Sequence, residues 1–238
     1  MAQAVNRRPY DATARRRIAE EQRQQSRERV VAAAAALFAQ NGYTATTIDA
    51  IAQAAGVAVQ TVYSAAGGKP ALMLAVVSRA IAGDESLTPL LDREWLTRLR
   101  QETDPRRQMR ILAEEQTAIA PRIVPVWLAM RAAASTDPEV AGAWQQSMQI
   151  RYQTQLAMVR AIRRADLKPD LTYAQAADVL WTLASPETYD LLVMQRGWRT
   201  SRFAGWLAEA LAASLLPTRA DRQPGAPSAA GHRQARMA

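Results

Sequence analysis

Residues 47–72 read TIDAIAQAAGVAVQTVYSAAGGKPAL and contain two short apolar runs, each followed by glycine. Thr47 is placed to cap a first helix of about two turns, because a side-chain oxygen there can accept from the first-turn amides. The apolar side of this helix consists of Ile48, Ile51, Ala52 and Ala55. Gly56 ends it, and residues 57–63 indicate another short helix, closed by the glycine pair that follows. Two short helices joined by a tight turn predict a helix-turn-helix, whose second helix enters the major groove of DNA.

Two further helices flank this pair. Upstream, from Ser26 to the Asn41-Gly42 stop, one helical face consists of Val30, Val31, Ala34, Leu37 and Phe38. Downstream, Pro70 lies in the first turn of a helix whose apolar side consists of Leu72, Met73, Val76, Val77 and Ala80. Apolar residues at this spacing are typical of amphipathic helices. The sequence therefore predicts a DNA-binding domain over residues 26–82.

The Gly67-Gly68-Lys69 sequence also raises the possibility of a nucleotide-binding loop, since glycine amides and lysine can hold phosphate. A P-loop requires G-x-x-x-x-G-K-[ST] after a β-strand. Here Pro70 follows the lysine and the preceding segment is helical in pattern. The better interpretation is a glycine turn between helices, with Lys69 at a helix start, where it can contact a DNA phosphate.

The composition favours an all-α fold, since alanine and leucine dominate, aromatic residues make up only 6% and β-branched alternation is scarce. The chain has no cysteine, and its single histidine, His232, lies near the end. The folded part therefore has no Ser/His pair, cysteine nucleophile or histidine site for a metal. We expect no enzyme activity, catalytic residue, metal or cofactor. No apolar run is long enough to cross a membrane, and we expect a cytoplasmic protein.

The net charge of +8 is concentrated near the ends of the chain. Residues 1–82 hold 10 Lys/Arg against 5 Asp/Glu, residues 83–216 hold 16 against 16, and the remainder holds 4 against 1. This pattern predicts a basic flexible arm at 1–25, which can add salt-dependent attraction to DNA. It also predicts a neutral helical domain at 83–216, with breaks at several prolines, and a disordered tail rich in Pro, Gly, Ser and Arg at 217–238.

The run from Thr47 to Tyr63, with Gly67-Gly-Lys-Pro-Ala-Leu72, resembles the DNA-binding domain of the TetR family over about residues 26–82. The resemblance implies an N-terminal helix-turn-helix joined to a larger helical domain for ligand binding and dimerisation. It implies that Gln60 and Thr61 face the groove, while Tyr63 and Lys69 hold the DNA backbone and Thr47 touches a phosphate. The full predicted set of DNA-binding residues is Arg27, Thr47, Val59, Gln60, Thr61, Tyr63, Ser64 and Lys69.

Three alanines depart from the usual pattern of the family. Ala58 stands where a small polar N-cap is usual, Ala66 where an aromatic is usual, and Ala65 where a histidine or similar group is common. The missing cap corresponds to about 1 kcal/mol. We expect some loss of phosphate contact without loss of the motif.

The larger domain also has features in common with the family. Residues 178–193, Arg196-Gly-Trp198 and the stripe of Phe203 and Trp206 resemble the C-terminal helices that form homodimer interfaces. The predicted interface residues are Leu183, Phe203, Trp206, Leu207 and Leu211. The resemblance also implies a pocket for an apolar or aromatic effector, lined by Trp127, Met130, Trp144, Met148, Tyr152 and Trp181. The same pattern fits an ordinary helical core.

The sequence therefore predicts a ligand-responsive transcriptional regulator, most simply a repressor. Its expected partners are a double-stranded DNA operator, a small-molecule effector and a second copy of the chain, with no membrane. Two alternatives stay open at this point. One is a DNA-processing enzyme and the other is a helical interaction protein, each using the helix-turn-helix only for targeting.

Overall fold

The computed structural model describes residues 12–82 and 94–218, and all regular structure in these ranges is helical. The α-helices are α1 Ala12–Ala45, α2 Ile48–Ala55, α3 Val59–Ala66, α4 Lys69–Ala82, α5 Glu94–Gln101, α6 Pro105–Ala133, α7 Pro138–Arg160, α8 Tyr173–Leu183, α9 Pro186–Tyr189 and α10 Thr200–Leu215. A 3₁₀ turn, Arg164–Asp166, follows α7, and a π-helical segment, Asp190–Gln195, follows α9. The prediction of an all-α fold is confirmed. Within the described ranges, no helix has the length and apolarity that crossing a membrane requires.

The described residues form two compact units. The first contains residues 12–82 and 121–148, and the second contains residues 94–120 and 149–218. The sequence predicts a boundary between residues 82 and 83 instead. The difference arises because α6 and α7 each contribute residues to both units, so that the N-terminal helices share a unit with part of this helix pair.

In the first unit, helices α1, α2, α3 and α4 all contribute buried side chains to one core. Its fully or almost fully buried residues include Val30, Ala34, Phe38, Ile51, Val62, Leu72, Met73 and Val76. Helix α1 is interrupted at Gly42 (φ 75°, ψ 169°), where the sequence predicts a helix end. The buried Thr46 stabilises the turn that follows, because its hydroxyl donates to the carbonyl of Gly42 at 2.8 Å.

Helix α1 begins earlier than the sequence predicts. Residues 12–25, expected to be part of a flexible arm, are helical, while residues 1–11 lie outside the described residues. Among residues 15–45, Val30 is the first buried one. Residues 12–29, called the α1 extension below, are therefore about 27 Å long at 1.5 Å per residue. Arginine, alanine, glutamine and glutamate favour helix, and i,i+3 or i,i+4 pairs add support. Such pairs are Arg17–Glu21 at 3.6 Å and Arg23–Glu20 at 3.0 Å.

The second unit contains the C-terminal helices. Helix α10 packs against α8, and its buried side includes Phe203, Leu207 and Leu211. A capping box begins α8: the Thr172 hydroxyl accepts from the amide of Gln175, whose side chain accepts from the amide of Thr172. In the same unit, the Gln108 side-chain amide donates to the carbonyls of Leu99 and Glu102, both at 3.0 Å. This glutamine joins α5 to α6.

Candidate nucleic-acid interface

The helix-turn-helix is built from α2, α3 and the turn at Gly56. Thr47 caps α2, as its position predicts, since its hydroxyl oxygen accepts from the amide of Ala50 at 3.1 Å. Gly56 has left-handed backbone angles (φ 64°, ψ 42°), which favour glycine because other residues meet a steric penalty there. The amide of Val57 then donates to the carbonyl of Ala52 at 3.0 Å, so the last turn of α2 closes on itself.

Helix α3 has one buried anchor and an exposed polar side. Val62 is fully buried, and it fixes the rotation of the helix about its axis. The exposed side chains are Val59, Gln60, Tyr63 and Ser64, and Thr61 is half-buried. Tyr63 is 48% exposed, so its ring is not part of the core. The structure therefore brings five of the eight predicted DNA-binding residues onto one short helix.

The three alanine positions differ in their surroundings. Ala58 precedes α3 with extended backbone angles and no side-chain hydrogen bond, so the helix has no side-chain cap. Its carbonyl still accepts from the amide of Thr61 at 2.9 Å. Ala65 and Ala66 are half-buried near the end of the helix.

Lys69, at the start of α4, is held within the protein. Its ammonium group lies 4.2 Å from the centre of the Tyr43 ring and 3.4 Å from the carbonyl oxygen of Thr44. Burial lowers the pKa of Lys69, and the negative charge of Asp137 opposes this shift. The predicted phosphate contact would require this lysine to exchange its contacts with Tyr43 and Thr44 for the DNA.

Tyr43 and Asp137 are functional candidates that the sequence reasoning missed. The Tyr43 hydroxyl donates to Asp137 Oδ2 at 3.4 Å, and Asp137 Oδ1 accepts from the amides of Glu139 and Val140 as the cap of α7. Burial, and then the charge of Asp137, raise the pKa of Tyr43 well above its usual value, so its hydroxyl remains a donor. Their sequence signals, Asn41-Gly42-Tyr43 and Asp137-Pro138, indicate only a helix end and a helix start.

A second polar contact in the same unit joins α4 to α6. Arg122 Nε donates to the carbonyl oxygen of Ala80 at 3.3 Å. This contact connects α4 to α6, and the Tyr43–Asp137 contact connects α1 to the start of α7. The predicted DNA-binding residue Arg27 lies away from these contacts, on the exposed surface of α1.

The residues predicted to line an effector pocket fall into both units. Trp127, Met130, Trp144 and Met148 belong to the first unit, and Tyr152 and Trp181 belong to the second. Trp127 and Met130 are almost completely buried, and the Trp127 and Trp144 rings lie 4.6 Å apart between centroids. This packing favours the core interpretation for Trp127, Met130 and Trp144.

The predicted dimer residues also divide into two groups. Phe203, Leu207 and Leu211 are buried within their own chain, so their side chains offer no surface to a partner. Leu183 and Trp206 are half-buried. The Trp206 ring packs edge-on against that of Trp198 at 6.1 Å between centroids. Across residues 12–82 and 94–218, no cluster of three or more His, Cys, Asp or Glu side chains could hold a metal ion.

Residues 30–76 match the model of the family "Bacterial regulatory proteins, tetR family". This segment contains residues 30–45 of α1, all of α2 and α3, and residues 69–76 of α4. The match confirms the resemblance that the sequence carries, and it assigns the segment to a family of regulatory proteins rather than enzymes. No curated protein matches the chain.

Solved structures with a similar fold include three of interest. NalD of Pseudomonas aeruginosa, described as the secondary repressor of the MexAB-OprM multidrug efflux pump, is 22% identical with a TM-score of 0.63, over 82% of this chain and 98% of that one. A putative transcriptional regulator of Saccharomonospora viridis in complex with choline is 19% identical, with a TM-score of 0.62. The similarity covers 82% of this chain and 100% of that one. SmeT, in its complex with triclosan, is 17% identical, with a TM-score of 0.61. The similarity covers 85% of this chain and 97% of that one. At these identities the similarity shows the fold.

Proposed function

Because the N-terminal helices of this chain form a TetR-family DNA-binding domain, we propose that the chain is a homodimeric transcriptional repressor that a small effector releases from its operator. The observation that carries this proposal is the arrangement of α3. Val62 anchors the helix in the core, while Val59, Gln60, Tyr63 and Ser64 are exposed together on a helix of only eight residues. This is the arrangement that a recognition helix needs to enter a major groove.

The proposed contacts divide into base reading and backbone positioning. Gln60 carries an amide that can bond to adenine on its major-groove edge, and Val59 and Thr61 can contact a thymine methyl group. Thr47, Tyr63, Ser64 and Lys69 carry hydroxyl or ammonium groups suited to phosphates, which fix the orientation of the protein on the duplex. The exposed arginines of the α1 extension, including Arg27, would add sequence-independent attraction.

The proposal includes a homodimer, because one recognition helix binds only a half-site. A two-fold dimer places two such helices about 34 Å apart, on successive turns of the major groove. Of the predicted interface residues, Leu183 and Trp206 are the ones with surface available to a partner. We expect the interface to use the outer sides of α8 and α10, with Phe203, Leu207 and Leu211 supporting α10 from within.

The effector would act by favouring a conformation that binds DNA poorly. Complexes of fold relatives with choline and with triclosan support a small-molecule effector as a class, and the repressor NalD supports the sign of regulation. Within the first unit, a movement of the start of α7 would reach the DNA-binding helices through the contact of Asp137 with Tyr43. The proposed site of action is the cytoplasm, where the operator lies.

Footprinting on DNA that flanks the chain's own gene tests this proposal. The wild-type protein is expected to protect two half-sites at low salt, and Tyr63→Ala is expected to lose at least about tenfold in affinity with unchanged helicity. Gln40→Ala, at an exposed position of α1 outside the proposed surface, serves as the control. A wild-type protein that protects no flanking DNA at low salt would contradict the proposal of a local operator.

A further inference from the structure

Lys69, the residue proposed to contact a DNA phosphate, is held in the free protein by three groups of the first unit. Its ammonium nitrogen lies 4.2 Å from the centre of the Tyr43 ring and 3.4 Å from the carbonyl oxygen of Thr44. The negative charge of Asp137 also acts on this ammonium group. Tyr43 is only 5% exposed, so its ring is a buried wall on which the cation rests.

Asp137 is fixed beside this ring by the start of α7. Its Oδ1 accepts from the amides of Glu139 at 2.9 Å and Val140 at 3.3 Å, and its Oδ2 accepts from the Tyr43 hydroxyl at 3.4 Å. Because both oxygens have donors, the carboxylate cannot turn away from Tyr43 without losing hydrogen bonds. The Tyr43 ring therefore lies between a cation over its face and an anion at its hydroxyl.

A DNA phosphate would offer Lys69 a second position close to the first. Thr47, also proposed to contact a phosphate, follows Thr44 by three residues, so the two Cα atoms are at most about 11 Å apart. The Thr47 hydroxyl accepts from the amide of Ala50 and keeps its own proton for a phosphate. Lysine carries its charge on a flexible stem with three donors, which allows it to exchange one partner for another.

Resting on the proposed function, we infer that Asp137 is a positioning residue that lowers the affinity of the protein for DNA by retaining Lys69 on the Tyr43 ring. The free protein gains the attraction between Asp137 and Lys69, and it loses part of that attraction when the ammonium group moves to a phosphate. The carboxylate and the phosphate thus compete for one cation. The competition acts on any duplex, because phosphate contacts carry no base information.

Asp137→Asn tests this inference with little change of structure. Asparagine caps helices about as well as aspartate, and its side-chain oxygen still accepts from Tyr43. Binding to a duplex of arbitrary sequence is measured by fluorescence anisotropy at low salt and neutral pH. We expect the dissociation constant to fall by about two- to fivefold, the range for one partly exposed charge pair. Glu114→Gln, at an exposed position of α6, is the control with the same change in net charge.

The gain in affinity must depend on Lys69. Loss of a negative charge strengthens DNA binding by itself, with no role for the lysine. Asp137→Asn is therefore repeated in the Lys69→Gln protein, where we expect it to change the dissociation constant no more than Glu114→Gln does. An equal gain with and without Lys69 would overturn the inference. A folded Asp137→Asn protein that binds the duplex no better than the wild type would also overturn it.

NMR of the lysine side chain reports its position directly. The chain has only two lysines, Lys69 and Lys168, so ¹³C-methylation of the Lys168→Arg protein labels Lys69 and the chain's amino terminus. We expect the Tyr43 ring to shift the Lys69 methyl signal in the free protein, and the duplex to remove that shift. The pKa of Lys69 should be lower still in Asp137→Asn, because the charge of Asp137 opposes the lowering by burial. A methyl signal that keeps its ring shift in the DNA complex would contradict the exchange of partners.

These measurements separate the inference from the proposed function. If no form of the protein binds the duplex at low salt, the DNA-binding function and the inference both fail. If the wild type binds the duplex, and neither the affinity nor the Lys69 signal depends on Asp137, the inference alone fails. A gain in affinity that requires Lys69, with a Lys69 signal that leaves the ring on binding, supports both.

Discussion

The hydroxyl of Tyr43 donates to a carboxylate oxygen of Asp137 at 3.4 Å, across 94 residues of sequence. Tyr43 follows Gly42, the residue at which α1 is interrupted, and the ammonium group of Lys69 lies over its ring. Asp137 caps α7. One contact therefore connects a predicted DNA-binding residue to the first turn of a long helix in the same unit.

A double-mutant cycle measures the strength of this contact. Tyr43→Phe keeps the ring beneath Lys69 and removes only the hydroxyl, so we expect a loss of about 1 kcal/mol in the free energy of unfolding. Asp137→Ala also removes the cap of α7, and its loss should reach about 1–2 kcal/mol. In urea titrations, the double variant should lose less than the sum by about 0.5–1 kcal/mol. Strict additivity would show that the two residues do not interact. Gln145→Ala, at an exposed position further along α7, is the control.

The same hydroxyl predicts a specific response to alkaline pH. Burial and the charge of Asp137 raise the pKa of Tyr43 in the folded state. The contribution of the Tyr43 phenol to the free energy of unfolding is therefore fully present below its pKa in the unfolded chain, about 10. It is lost as the pH rises toward the higher pKa of the folded state. Between about pH 9 and 11, the wild type should lose stability more steeply than Tyr43→Phe. Equal slopes in denaturant titrations over this range would contradict the role of the phenol.

Two glycines in different backbone conformations form a matched pair. Gly56 has a left-handed backbone, so Gly56→Ala should destabilise the protein by about 1 kcal/mol or more, although an added Cβ meets open space. Gly142 lies inside α7, where an added Cβ also meets nothing within 4 Å, and Gly142→Ala should stabilise by about 0.5–1 kcal/mol. Thermal unfolding of both variants checks the opposite signs. A stabilising Gly56→Ala would mean that the turn does not require its left-handed angles.

The helix-turn-helix could be predicted in detail because each of its features is local. Thr47, Gly56 and Val62 have roles set by positions a few residues away: a cap, a left-handed turn and an apolar anchor. The start of α1 was missed for a related reason. The density of arginine suggested a solvated arm, yet the same residues favour helix and pair with Glu20 and Glu21 along it.

The candidate sites of the larger domain depend on contacts between distant helices, which periodicity does not report. The stripe through Phe203, Leu207 and Leu211 correctly indicates an apolar face, but not whether the chain itself or a partner covers it. Thr117 and Gln155 have no signal in the sequence, since a polar residue inside an amphipathic helix is ordinary until its burial and lack of a partner are known. Their burial is visible only in the structure.

Substitutions of Val59 and Val62 can distinguish DNA recognition from stability, because one valine of α3 is exposed and the other is buried. Val62→Ala removes two methyl groups from a fully buried site and should destabilise the protein by about 2–3 kcal/mol. Val59→Ala, at a position 37% exposed, should change stability by less than about 0.5 kcal/mol but weaken binding to the operator. Urea titration and footprinting check the two effects. A Val59→Ala variant with the wild-type affinity and base preference would remove this residue from the predicted reading surface.

The α1 extension predicts the salt dependence of DNA binding, and the slope can be measured on any duplex. If Arg23 and Arg27 each neutralise one DNA phosphate, replacing both with glutamine should reduce the magnitude of the slope of log affinity against log salt by about 1.8, at about 0.9 per contact. The same change should weaken specific and non-specific DNA about equally, because phosphate contacts carry no base information. Arg110 and Arg160, exposed on α6 and α7, serve as a control pair with the same change in net charge. An unchanged slope would mean that the extension lies away from the duplex, whereas an equal reduction in the control pair would mean that only net charge matters.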